Sequence, residues 1–319
     1  MRFPDDDELP PSAAADLVVD WPEGFRAGFV AVVGRPNAGK STLTNALVGE
    51  KVAIMSDRPE TTRHAVRGVV QRADGQLVLV DTPGLHRPRT LLGERLNDVV
   101  HESLEDVDAV VACLPSDEAV GPGDRFVVDA AFRSGAPVVA AVTKSDRVTR
   151  DALAVKLLEV AGLGDFAAIV PCSGTRGTQV EELGDVLLSL MPVSPPLYPR
   201  GQVTDEPVQV RVAELVREAA LEGVRDELPH SLAVVVDEML ERRSADGGTT
   251  LAIFATVFVE RESQKAIVIG RRGARLKQVG TLARAGIEEL LGRKVYLSLH
   301  VTVAKDWQRN PKLLGRLGF

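Results

Sequence analysis

The chain has little cysteine, no long apolar run and no overall surplus of positive charge, and each shortage excludes a class of protein. Only Cys113 and Cys172 occur in 319 residues, too few for a disulfide framework or a four-thiolate zinc site, so both read as buried reduced thiols. No stretch approaches the roughly 18 to 20 consecutive apolar residues that span a bilayer. The start Met1-Arg2-Phe3-Pro4-Asp5 carries no apolar signal core, and a cytoplasmic location is expected. The formal net charge of −7 would argue against nucleic-acid binding only if it were evenly spread. From Arg261 to Phe319, however, 13 Lys and Arg face 4 Asp and Glu, so this stretch carries +9 and the remainder −16. An acidic body can thus present one basic face to a polyanion.

Residues 1–24 combine Asp5-Asp6-Asp7-Glu8 with prolines and alanines. Such a composition cannot bury enough apolar surface to offset the entropy of ordering, and a mobile acidic tail is expected. At roughly 150 residues per domain, the rest suggests two domains. Over residues 25–191, short apolar runs alternate with helix-like segments: Phe29 to Val33, Leu77 to Val80, Ala109 to Leu114, Pro137 to Val142 and Ala168 to Val170. Runs this short, rich in Val, Ile, Leu and Ala, suit strands buried on both faces of a parallel sheet, and the fold expected is α/β, doubly wound. Five prolines, Pro192, Pro195, Pro196, Pro199 and Pro207, crowd residues 192–207 and mark a linker. In residues 208–319 the order reads helix (Val208 to Ala220), strand (Leu232 to Val236), strand (Thr250 to Glu260), helix, helix (Ala274 to Leu291), strand (Val295 to Val303). Taken alone, the short run Ala266 to Ile269 reads as a strand. This second unit is expected to be a smaller α+β domain.

Gly34-Arg35-Pro36-Asn37-Ala38-Gly39-Lys40-Ser41 satisfies G-x-x-x-x-G-K-[ST], after an apolar run and before the helical stretch Thr42 to Val48. That strand-to-helix context is what a phosphate-binding loop requires. Its backbone N–H groups can curl around phosphate oxygens at the positive end of a helix dipole. Lys40 is expected at the β- and γ-phosphates and the Ser41 hydroxyl on Mg2+. Asp81-Thr82-Pro83-Gly84 closes the next strand at the edge where α/β sheets place ligands, with Asp81 for a Mg2+-bound water and the Gly84 N–H for the γ-phosphate. Thr143-Lys144-Ser145-Asp146 has the T-K-x-D form that reads guanine: the carboxylate accepts from N1–H and the exocyclic amine, a donor pair adenine lacks. Ser173-Gly174 follows the next run, where a backbone N–H meets guanine O6. Gly34, Asn37, Ala38, Gly39, Lys40, Ser41, Thr42, Asp81, Gly84, Thr143, Lys144, Asp146, Ser173 and Gly174 are therefore the expected GTP/GDP-binding set.

A second signal is Gly270-Arg271-Arg272-Gly273. The form G-x-x-G is weak alone, but Lys265, Arg275 and Lys277 lie nearby. Glycines let a backbone approach a single strand closely while arginines meet its phosphates.

Together with Pro59-Glu60-Thr61-Thr62-Arg63-His64 and Asp81-Thr82-Pro83-Gly84-Leu85-His86, these motifs resemble the Era family of translation-factor-class GTPases across residues 25–319. The resemblance implies a GTPase domain followed by a type II KH domain that binds single-stranded RNA and not DNA through Lys265, Gly270, Arg271, Arg272, Gly273, Arg275 and Lys277. It further implies the 3′ region of 16S ribosomal RNA as partner, a role in 30S subunit assembly, and peripheral association with the inner face of the cell membrane beside the cytoplasmic location. A related GTPase of tRNA modification or of the inner membrane surface, and an RNA chaperone with a structural nucleotide site, are the competing readings.

Two departures from the family, one contrast with many small GTPases and one open choice bear on the chemistry. Thr143 stands where the family more often has Asn, weakening one side-chain bond near the base. Gly174 stands where Ala is usual, which keeps the N–H donor but loosens the loop. Leu85 occupies the position of the water-orienting Gln of many small GTPases, so slow intrinsic hydrolysis is expected. The resemblance implies that Asn37 helps hold a K+ ion in compensation, doing the work of an arginine finger. Thr62 is the preferred switch ligand of Mg2+, with Thr61 second. Lys40, Thr62 and Gly84 are the residues expected to act on the γ-phosphate, and Met55 to Val69 is expected to order with GTP and relax after hydrolysis.

Overall fold

A computed structural model describes residues 21–55, 62–85, 88, 90–222, 228, 231–243 and 249–317. Most of the expected tail, residues 1–20, and also Thr61 and His86 lie outside the described residues.

The apolar runs become strands β1 (Arg26–Gly34), β3 (Gly75–Asp81), β4 (Ala109–Pro115), β5 (Val138–Thr143) and β6 (Ala168–Pro171). These pair in parallel in the order β3-β1-β4-β5-β6. Burial explains their composition: every residue of β3, β4 and β5 is buried, because helices α1 (Lys40–Val48), α2 (Leu91–Glu102), α3 (Pro122–Arg133), α4 (Arg150–Ala161) and α5 (Val180–Leu190) cover the sheet. One strand is missing from the sequence reading. Val66–Gln71 forms β2, antiparallel to β3 at the edge of the sheet. Its central residues Gly68 and Val69 are buried, so the last part of the segment expected to switch, Val66 to Val69, is strand here. The proline-rich stretch is docked rather than free: the amide of Gln76 bonds the backbone of Leu197 and Tyr198, and Val69 N–H donates to Val203 O.

The second unit comprises α6 (Val208–Leu221), β7 (Ala233–Arg243), β8 (Thr249–Val259), α7 (Glu262–Ile269), α8 (Ala274–Leu291), β9 (Val295–Val303) and α9 (Pro311–Arg316). Strand β8 pairs antiparallel to β7 and parallel to β9. Val212, Val216, Ile253, Val257, Val279 and Ile287 form the core between helices and sheet. The run Ala266 to Ile269 is therefore helical, not a strand. The Gln264 side-chain oxygen accepts the N–H groups of Glu260 and Arg261 at 2.9 and 3.0 Å, satisfying donors that a helix start leaves orphaned. No helix among the described residues is long and apolar enough to cross a membrane.

Candidate functional site

The strand registers bring the separate motifs to one edge. Val32 pairs with Asp81, Gly34 with Cys113 and Pro115 with Thr143, so the phosphate loop, Asp81-Thr82-Pro83-Gly84 and Thr143-Lys144-Ser145-Asp146 all emerge at the carboxyl ends of neighbouring strands. The result is a polar cleft of about 400 Å3 lined by Asn37, Gly39, Lys40, Ser41, Thr42, Thr62, Gly84, Thr143, Lys144, Asp146, Ser173 and Gly174. Of the expected GTP/GDP-binding set, Gly34, Ala38 and Asp81 stand behind this wall. Ala38 and Asp81 are buried, and Gly34 starts the loop at the end of β1.

At the phosphate end, Lys40 is buried and donates to the carbonyls of Gly34 and Arg35 at 3.2 and 3.1 Å. Burial lowers its pKa, which favours a compensating negative group beside it. Three oxygen donors from three segments meet next to it. The Ser41 hydroxyl donates to Asp81 Oδ2 at 2.6 Å and lies 2.8 Å from the Thr62 hydroxyl, which in turn lies 3.4 Å from Asp81 Oδ2. Asp81 Oδ1 is buried without a hydrogen-bond partner, and burial pushes this carboxyl up to about 6. Two hydroxyls and a carboxylate with an unsatisfied oxygen form the hard, oxygen-only donor set that suits Mg2+. Gly84 is pressed against the loop, since a Cβ there would lie 2.6 Å from Pro36 N. Leu85 does more than lack an amide: its side chain is buried in one apolar cluster with Ala31, Val33 and Val100. Asn37 is exposed and left-handed, with φ 63°, a conformation asparagine tolerates.

At the base end, the Ser173 hydroxyl, followed by a backbone N–H and then the nearby charges of Arg176 and Arg147, holds the Asp146 carboxyl below the usual carboxylate range. The acceptor is therefore charged at neutral pH. The Ser145 N–H donates to Cys172 O at 3.1 Å, tying this motif to the end of β6. Two sequence expectations change here. The Thr143 hydroxyl donates to Ala38 O at 2.6 Å, so its bond braces the phosphate loop. Gly174 has an ordinary φ, but a Cβ would lie 2.9 Å from Thr42 O, so glycine allows close docking on α1 rather than loosening the loop. Asp117 and Glu118, which sequence reasoning missed, also line the cleft and flank the Lys144 ammonium at 3.4 and 3.5 Å. Their signal was positional: they follow a buried strand at its carboxyl end.

In the second unit, Gly270 (φ 70°), Arg272 (φ 50°) and Gly273 (φ 77°) turn the chain between α7 and α8, so the segment before the G-x-x-G loop is a helix. Arg271, Arg272 and Lys277 are exposed and Lys265 half-buried. Arg275 is engaged elsewhere: its guanidinium donates to the carbonyls of Ala220 and Glu222 at the end of α6. In this state the side chain caps the end of that helix.

The family model described as 50S ribosome-binding GTPase matches residues 29–144, and that of the KH domain matches residues 227–308. The chain is 60% identical over 299 residues to the GTPase Era of Mycolicibacterium paratuberculosis, covering 92% of this chain and 99% of that one. It is 61% identical over 302 residues to the GTPase Era of Streptomyces coelicolor, covering 92% and 95%. Among solved structures, Era in complex with MgGDPNP and nucleotides 1506-1542 of 16S ribosomal RNA superposes with a TM-score of 0.87 at 35% identity, over 92% of this chain and 99% of that one. An Aquifex aeolicus Era variant bound to GDP and AlF4− gives 0.88 at 35% identity with the same coverage.

Proposed function

Since the chain belongs to the Era family of GTPases, we propose that hydrolysis in its cleft is stimulated by K+ and that its switch acts on the 30S subunit in the cytoplasm, including at the inner face of the cell membrane. The chain hydrolyses GTP to GDP and phosphate in a Mg2+-dependent reaction, binds 16S ribosomal RNA and serves small-subunit assembly. The observation that carries the reading of the cleft is the meeting of Ser41, Thr62 and Asp81 oxygens beside a buried Lys40.

In this reading Ser41, Thr62 and Asp81 would hold a Mg2+ ion, whose charge would offset that of the phosphates during phosphoryl transfer. Ser41 and Thr62 offer it hydroxyls and Asp81 a carboxylate. Lys40 exchanges its two loop carbonyls for phosphate oxygens, and the Gly84 N–H meets the γ-phosphate. Asp146 fixes the base by accepting from guanine. With Leu85 turned into the core, no side chain at that position can orient water. Asn37, at the lip of the cleft, would help hold a K+ ion, whose charge would offset the charge that develops on the phosphates. RNA is held at Gly270-Arg271-Arg272-Gly273, with Lys265 and Lys277 alongside, a loop form that clamps about four nucleotides.

Turnover measured in matched KCl and NaCl tests the cation: hydrolysis is expected to rise on the order of tenfold or more in KCl, and Asn37→Ala to erase the difference. Equal rates in the two salts would overturn the K+ assignment, and no turnover in either would overturn the reading of the cleft as catalytic.

A further inference from the structure

Thr62 and Arg63 are adjacent in sequence yet belong to different sites. Thr62 faces Ser41 and Asp81. Arg63, only 2% exposed, is buried against the second domain, where Nη1 donates to Leu232 O at 2.7 Å and the guanidinium lies 5.6 Å from the centroid of the Trp307 ring. Trp307 is fully buried and its indole N–H donates to Ser231 O at 3.0 Å.

Polar contacts continue from there toward the RNA loop. The Ser231 hydroxyl donates to Glu260 at 3.3 Å, and Glu260 also accepts the Gln308 N–H at 3.4 Å. The N–H of Glu260 donates to Gln264, in the first turn of α7. Helix α7 ends at Ile269, directly before Gly270. The segment after the Asp81-Thr82-Pro83-Gly84 motif arrives at the same place, because Leu92 and Leu96 of α2 pack in one apolar cluster with Trp307, Ala233 and Leu314.

An interdomain anchor alone could sit anywhere on the first domain. This one sits one peptide unit, about 3.8 Å between Cα atoms, from a candidate Mg2+ ligand. Removing Arg63 from its carbonyl would strand a buried charge at high cost, so Thr62 cannot be drawn in or released without load on the contact. We infer that Arg63 is a positioning residue for GTP hydrolysis, through which the second domain sets Thr62 and the nucleotide state reaches the RNA loop. The inference rests on Thr62 as the Mg2+ ligand made when the γ-phosphate is present.

The test uses the full chain and a labelled RNA of nucleotides 1506-1542 of 16S rRNA, titrated with a non-hydrolysable GTP analogue and with GDP. The unmodified chain is expected to show a ratio of RNA affinities of about fivefold or more between the two states, the usual scale of allosteric coupling. Arg63→Ala is expected to bring that ratio to within about twofold of one, and to lower kcat while KM for GTP holds, as loss of transition-state positioning does. Arg63→Lys keeps the charge without the planar group, and Trp307→Phe removes the indole donor and part of the ring over which the guanidinium lies while leaving an aromatic side chain in the core. Both are expected to reduce the ratio, and they supply the readout if Arg63→Ala does not fold. A ratio of one in the unmodified chain, or an undiminished ratio in the folded variants, overturns the inference. Thr62→Ala separates the two claims. If Mg2+ dependence of analogue binding is unchanged in it, the ligand assignment fails and the inference with it. If Thr62→Ala loses the nucleotide effect while the Arg63 and Trp307 variants keep it, the inference alone fails.

Discussion

In the proposed reading of the cleft, the choice of base comes down at Asp146 to two acceptor oxygens on one charged carboxylate. Guanine offers it two donors, and an amide would present one donor where an acceptor is needed. Asp146→Asn is expected to weaken GTP binding by roughly 10- to 100-fold, the scale of losing a charge-assisted hydrogen bond, and to favour xanthosine triphosphate, whose base carries an acceptor in place of the amine. Competition between the two nucleotides in an equilibrium binding assay reads this out, and unchanged GTP affinity would refute the assignment. The motif was legible in the sequence because spacing and residue type state the chemistry. What Leu85 does was legible only by half: the missing amide could be read from the sequence, but its burial among Ala31, Val33 and Val100 depends on how helices close over the sheet.

Among the elements, the end of β5 and the phosphate loop are tied by a single side chain. The Thr143 hydroxyl donates to Ala38 O at 2.6 Å and is buried, so Thr143→Val leaves a buried carbonyl unpaired at a cost of about 1–3 kcal/mol. The variant is expected to bind GTP and GDP more weakly by about tenfold and to melt at lower temperature, while Thr143→Ser stays near the unmodified chain. Nucleotide titration and thermal melting of the two variants check this. If Thr143→Val matched Thr143→Ser, the hydroxyl would not be the brace. The stretch before Gly270 teaches the complementary lesson. Ala266-Ile267-Val268-Ile269 has strand-like composition, yet Gln264 satisfies the orphan N–H groups at a helix start, and local capping prevails over β propensity. The Gln three residues after Arg261 was the available signal. Strand β2 left less to read: with Arg67 and Gly68 inside it, its apolar run is only Val69-Val70, and pairing with β3 supplies the rest.

For the whole molecule, the two sheets are joined through a core of their own. Leu92 and Leu96 from α2 meet Ala233, Trp307, Leu314 and Leu317, and Lys51 pairs with Glu218 at 2.5 Å. Leu96→Ala is expected to cost about 2–5 kcal/mol, as buried leucine truncations do, and to uncouple the unfolding of the two units in urea, seen as two transitions where the unmodified chain shows one. A single transition at an unshifted midpoint would show that the cluster does not hold them together. The sequence by itself determined the phosphate loop, the guanine motif, the strands of the parallel sheet and the G-x-x-G turn, since each is a short-range pattern whose chemistry follows from residue type and spacing. Only the tertiary structure decided that Ser41, Thr62 and Asp81 share one point, that Arg275 caps α6, and that Arg63 crosses from the nucleotide cleft to Trp307. Those contacts join residues far apart in the chain, and no local periodicity or propensity encodes which distant carbonyl or ring a side chain will find once the sheets have packed.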